Sequence, residues 1–74
     1  MNSQLQALEV VAKALNRSLS DIGPEARMGE TDGWDSLGHM RILLEAERVA
    51  GRQFDPQTAV EIIDIPTLEK ALQQ

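Results

Sequence analysis

The chain has 74 residues, no cysteine, a net charge of −5, and only Trp34 and Phe54 as its large aromatic residues. That length allows one domain at most, and the absence of thiols excludes a disulfide framework, a thiolate metal site and redox chemistry carried by the chain itself. The acidity opposes nucleic-acid phosphates, and no apolar run approaches the roughly 18 residues of a membrane span, so a soluble cytoplasmic protein is expected.

Four helical segments are predicted. In the first, residues 3–16, Leu5, Leu8, Ala12 and Leu15 recur at helical spacing with Val11 beside them. Ser3 followed by Gln6 fits a capping box, and Asn16 suits a left-handed stop. A long connection follows, about residues 17–34, with turn signals at Gly23-Pro24, Gly29 and Asp32-Gly33. Leu19, Ile22 and Met28 are expected to be buried and to pin it. The second helix, residues 35–51, takes Asp35 as its cap and Gly51 as its stop. Gly38 weakens that helix by roughly 1 kcal/mol relative to alanine, so something must compensate for it. A short third segment, residues 55–63, opens on Asp55 and Pro56. The fourth, residues 64–74, starts near Asp64 and carries an apolar stripe of Ile65, Leu68 and Leu72. The expectation is an all-α bundle of three main helices and one short one, forming a single free-standing domain over residues 1–74. Charge is uneven along it. Residues 1–27 balance, so the whole deficit falls in residues 28–74, which suits a basic partner surface or solubility alone.

The stretch "GWDSLGHM", residues 33–40, carries the chemical question. Ser36 admits three readings: nucleophile, helix cap or attachment point. A nucleophile needs a base, an orienter and an oxyanion hole. The sole histidine, His39, would lie on the same outward helix face with no cleft to exclude water. Trp34 also occupies the first glycine position of a nucleophile elbow. No catalytic residue is therefore assigned, and no enzyme activity is expected. As a cap, Ser36 is an ordinary first-turn residue. As an attachment point, its hydroxyl projects from the positive end of the helix dipole, where a phosphate is favoured. Gly38 would leave room beside an attached group.

"DSL" opening a long second helix after a long loop resembles the phosphopantetheine attachment motif of acyl, peptidyl and aminoacyl carrier proteins. The resemblance covers nearly the whole chain, through "GWDSLGHMRILLEAE", the Phe54 region and "AVEIIDIPTLEKAL". It implies a four-helix carrier-protein bundle, monomeric, on which a phosphopantetheinyl transferase moves the arm of coenzyme A onto Ser36. Asp35 would help to orient that site. The arm's thiol would hold acyl or aminoacyl groups as thioesters for a loading enzyme and a downstream synthase or transferase. It further implies that Leu37, Met40, Arg41 and Leu44 face those partners, with Trp34 bordering the entrance. Helical spacing equally allows Leu37, Met40 and Leu44 to be core, with Ile42, Leu43, Ala46 and Ala50 as the second stripe.

Two departures bear on the pathway. The start of the second helix is usually strongly acidic in carriers of fatty-acid synthesis, whereas here it holds Gly38, His39 and Arg41. A specialised pathway is therefore expected rather than general fatty-acid synthesis. Ala46 and Ala50 stand where larger apolar residues are common, and Trp34, Met28 or Phe54 are expected to fill the space. The alternative from a different class is an unmodified helical adaptor that binds proteins through the same face.

Overall fold

A computed structural model describes residues 3–73, which form an all-α fold. Its helices are α1 (Ser3–Ala14), α2 (Ser36–Ala50), α3 (Pro56–Glu61) and α4 (Ile65–Gln73), with one 3₁₀ turn at Leu19–Asp21. No strand is present among the described residues; an isolated antiparallel bridge joins Arg27 to Asp64. None of the helices is long and apolar enough to cross a membrane.

Local chemistry sets the helix ends. Asn16 has φ 57°. Behind it, Arg17 N–H reaches Ala12 O at 2.9 Å and Asn16 N–H reaches Lys13 O at 3.2 Å. These are the paired bonds of a Schellman stop, which satisfies carbonyls that the helix leaves open. Gly51 ends α2 in the same left-handed region, φ 74°, with its N–H on Glu47 O. Asp55 Oδ1 accepts from Thr58 N–H at 2.7 Å with Pro56 in the first turn of α3. Asp64 and Thr67 cap α4 reciprocally. Asp64 Oδ1 accepts from Thr67 N–H at 3.0 Å, and Thr67 Oγ1 accepts from Asp64 N–H at 3.1 Å. Ser3 behaves differently from the expected cap. It is the first helical residue, and its hydroxyl donates to Glu69 Oε2 at 2.7 Å and accepts from Gln73 Nε2 at 2.8 Å. It thus ties the start of α1 to the end of α4.

α1 is the centre of the packing and meets both α2 and α4. Two neighbours require a wide apolar face. Ala7, Val10, Val11 and Ala12 are buried, with Leu8 and Leu15 partly covered. Leu5, expected in the stripe, is 40% exposed. The small side chains of Ala7 and Ala12 allow close approach on two sides, which a leucine stripe would not. α2 contributes Ile42 and Ala46, α4 contributes Ile65, Leu68 and Ala71, and Ile62 and Phe54 complete the core. Arg52 lies 5.3 Å over the Phe54 ring and donates to Ala71 O, one of the open carbonyls of α4.

The long loop is pinned by a different set from the one expected. Ile22 is buried as expected, but Leu19 and Met28 are 41% and 38% exposed. Ala26 and Trp34 take their place, Trp34 at only 1% exposure. The Met28 backbone is tied down by its N–H on Ile63 O at 2.8 Å. Trp34 is the largest fully buried side chain, and it shares one cluster with Phe54 and the fully buried Ala46. Trp34 and Phe54 are thus part of the buried core with Ala46, while Met28 is not. Two clefts of ≈ 430 and ≈ 220 Å³ open between α3 and α4 and between α1 and α2, and neither is lined by Ala46 or Ala50.

Gly38 explains itself through the loop. A Cβ there would overlap the Gly33 carbonyl oxygen and stand 3.0 Å from Leu15 Cδ2. It is buried beneath the loop, so the expected role of leaving room beside an attached group does not hold. Gly38→Ala should destabilise the fold by about 1–3 kcal/mol, the usual scale of overpacking. Helix propensity alone predicts a gain, so the sign of the shift in urea midpoint is the check.

The α4 cap has its own pH signature. The Thr67 hydroxyl holds the Asp64 carboxyl below its ordinary value against the opposing effect of burial, with smaller help from the Thr67 N–H and Arg27. A depressed folded-state value stabilises the fold fully above the unfolded aspartate value of about 3.9 and is lost as pH falls through the folded one. Urea midpoints should therefore decline below about pH 4, and Asp64→Asn should flatten that decline.

Candidate functional site

Ser36 is the first residue of the 15-residue helix α2 and is exposed. Its hydroxyl has no hydrogen-bond partner among the described residues. Asp35, in extended backbone at φ −101°, turns its carboxylate onto Gly38 N–H at 2.9 Å. His39 N–H makes the first intrahelical bond, to Asp35 O at 2.7 Å. One of the four open donors of the helix start is thus satisfied by Asp35, and the N–H groups of Ser36 and Leu37 are left for solvent or for a group on Ser36. The serine oxygen therefore stands in water at the positive end of the helix dipole.

α2 divides into two faces. Inward go Gly38, Ile42 and Ala46. Outward go Leu37 at 57%, Met40 at 59% and Leu44 at 62% exposure. The spacing that left both arrangements open resolves with the apolar residues after Ser36 pointing outward. Arg41 is exposed within that face and has no ion-pair partner among the described residues. Val60 and Ile63, on α3 and just beyond it, add further exposed apolar surface.

The acidic side chains of α2 are engaged elsewhere. Glu45 bonds Arg48 at 2.6 Å and approaches Lys13 at 3.8 Å. The Arg48 guanidinium, with Lys13 adding a smaller pull, holds the Glu45 carboxyl below the usual glutamate range. Glu47 accepts the backbone N–H of Phe54 at 2.8 Å. The face next to Ser36 is thus apolar with a single cation. Among the described residues, no group of three or more His, Asp or Glu is placed to hold a metal ion.

Trp34 corrects the expected partner surface. Its ring is 1% exposed and belongs to the core, so it does not border an entrance that a partner could touch. Its indole N–H donates to His39 Nδ1 at 3.1 Å, and the two ring planes lie within 18° of each other with centroids 6.4 Å apart. Sequence reading missed this pair because its members are five residues apart across a helix start, a spacing that no helical or strand period singles out. The signal available was chemical: a buried indole N–H needs an acceptor, and the only imidazole of the chain is five residues away.

Comparison with family models, with curated proteins and with solved structures finds no match for this chain.

Proposed function

We propose that the chain is a carrier protein that receives a phosphopantetheine arm on Ser36 and holds acyl or aminoacyl groups as thioesters for biosynthetic partner enzymes. One observation carries the reading: a serine hydroxyl without a partner, exposed at the start of α2, stands directly beside an outward apolar stripe of Leu37, Met40 and Leu44. A hydroxyl there is reachable by a transferase, and the stripe gives that enzyme a surface to grip. The cap geometry fits the group as well. Asp35 has its carboxylate committed to Gly38 N–H, which fixes the turn and leaves the serine oxygen outside it.

Attachment forms one bond from Ser36 Oγ to the pantetheine phosphate of coenzyme A and breaks the pyrophosphate link, releasing the nucleotide half. The hydroxyl proton passes to the transferase. A phosphodiester so formed gains from the helix dipole and from the open N–H groups beside it. The arm supplies the thiol that the cysteine-free chain lacks. Arg41 and the internally committed Glu45 and Glu47 make the α2 face a poor match for a strongly basic dock. This supports a dedicated partner set in a specialised pathway rather than the enzymes of general fatty-acid synthesis. The same stripe would also serve an unmodified adaptor, which Ser36 substitution distinguishes.

Incubated with coenzyme A and a broad-specificity phosphopantetheinyl transferase, the wild-type chain should gain the mass of one arm. Ser36→Ala should keep its circular dichroism and gain none. Modification of the alanine variant, or none of the wild type, overturns the assignment. Met40→Glu and Leu44→Glu should each lower kcat/KM for arm transfer by about tenfold, which corresponds to about 1.4 kcal/mol lost at the interface. Their thermal midpoints should stay close to wild type, as both side chains are solvent-exposed.

A further inference from the structure

We propose that the Trp34–His39 hydrogen bond is a proton-sensitive clasp over the turn that carries Ser36, with neutral His39 as its positioning residue. The bond joins residues 34 and 39 and so encloses Asp35, Ser36, Leu37 and Gly38. An indole N–H only donates, so the Nδ1 that receives it must carry no proton. The ring proton of a neutral His39 then sits on Nε2. An imidazolium has donors at both nitrogens and accepts from neither. Protonation of Nδ1 therefore sets two N–H groups against each other, one of them on a ring that is 1% exposed.

The turn has few other restraints. Beneath it the Gly33 carbonyl sits against Gly38. At its head Asp35 holds Gly38 N–H. The clasp is the side-chain link that joins the loop end to the second turn of α2, and the two near-coplanar rings meet edge to edge through it. The charged groups on the elements that meet here are otherwise placed. Asp32 pairs with Arg17 at 3.1 Å, Glu30 with Arg27 at 3.9 Å, and Lys13 of α1 approaches Glu45. Asp35 is the cap, and Arg41 on α2 is exposed. Among the described residues, His39 has no ion pair, so no carboxylate compensates for the clasp when the ring is charged. Histidine is the side-chain type whose ordinary charge change falls between about pH 5 and 8, which sets the range in which the clasp is tested. The clasp stands on geometry alone; its consequence for Ser36 rests on the carrier reading.

The test uses the full chain, in which Trp34 and His39 each give one unambiguous signal. In ¹⁵N-labelled protein the Trp34 indole N–H resonance and the His39 ring protons are followed from about pH 8 to pH 5. The expected result is one shared transition, absent from the indole signal of His39→Gln, whose amide oxygen accepts at every pH. An indole resonance that stays still while His39 titrates in wild type overturns the clasp, and this reading needs no variant. The initial rate of arm transfer from coenzyme A is then taken as the ratio of wild type to His39→Gln, which cancels the transferase's own pH profile. That ratio should fall by about threefold or more toward acid, the scale of one hydrogen bond. A flat ratio beside a moving indole signal overturns the positioning role. If neither protein is modified at any pH, the carrier reading fails and the positioning role falls with it, while the indole titration alone decides the clasp.

Discussion

The Gly33 carbonyl oxygen occupies the space where residue 38 would place a Cβ. Everything around Ser36 depends on that approach. The loop end can lie against the first turn of α2 only because position 38 has no side chain. Trp34 follows Gly33 and is thereby delivered into the core rather than onto the surface. Asp35 then falls in extended backbone, where its carboxylate reaches Gly38 N–H. Ser36 becomes the first helical residue with its hydroxyl outside. A glycine that costs about 1 kcal/mol in helix propensity is thus offset by the burial of the largest side chain in the chain. Full burial of a large apolar side chain is worth about 1.5–3 kcal/mol.

The same corner assigns the two faces of α2. Once Gly38 lies beneath the loop, residues four and eight positions on must also face inward, and Ile42 and Ala46 are fully buried. Leu37, Met40 and Leu44 are then rotated toward solvent. Single exposed apolar residues are normal on protein surfaces. Three on one helical stripe, starting next to a free hydroxyl, form a patch of the kind that marks interaction surfaces. The core does without those three side chains because Trp34 reaches in from the loop and Phe54 from the far end of α2.

Much of this was legible in the sequence, and what was legible is local. Asn16, Asp35, Gly51, Asp55 and Asp64 each mark a helix end through bonds to residues within five positions, so their chemistry can be read from neighbours alone. Face assignment is not local. Periodicity shows that α1 and α2 carry apolar stripes, but which stripe goes inward depends on where other elements arrive. Leu5 points outward and Ala7 inward because α1 has two neighbours that demand close approach. Leu19 and Met28 escape burial because Ala26, Ile22 and Trp34 already cover the core. Ser3 reads as a cap, yet its partners Glu69 and Gln73 are 66 and 70 residues away, and no short-range rule finds them. Gly38 was visible as an anomaly, but its cause is a carbonyl in another element.

Charge placement follows the same division. The acidic excess of residues 28–74 lies outside α2, whose Glu45 and Glu47 are matched by Arg41 and Arg48, and the structure uses those two carboxylates internally. Glu45 lies between Arg48 and Lys13, and Glu47 anchors the Phe54 backbone. What remains beside Ser36 is Arg41 amid leucine and methionine. A partner with a cluster of cations would have to desolvate its charges against apolar side chains and one like charge, and like-charge juxtaposition at an interface costs several kcal/mol. A partner with an apolar groove and a carboxylate would meet both features at once. Recognition on this face therefore rests on shape and apolar burial, with one charge setting the register. Methionine suits such a face, because its unbranched side chain adapts to more than one apolar surface. That is a physical basis for one small helix to fit more than one apolar surface.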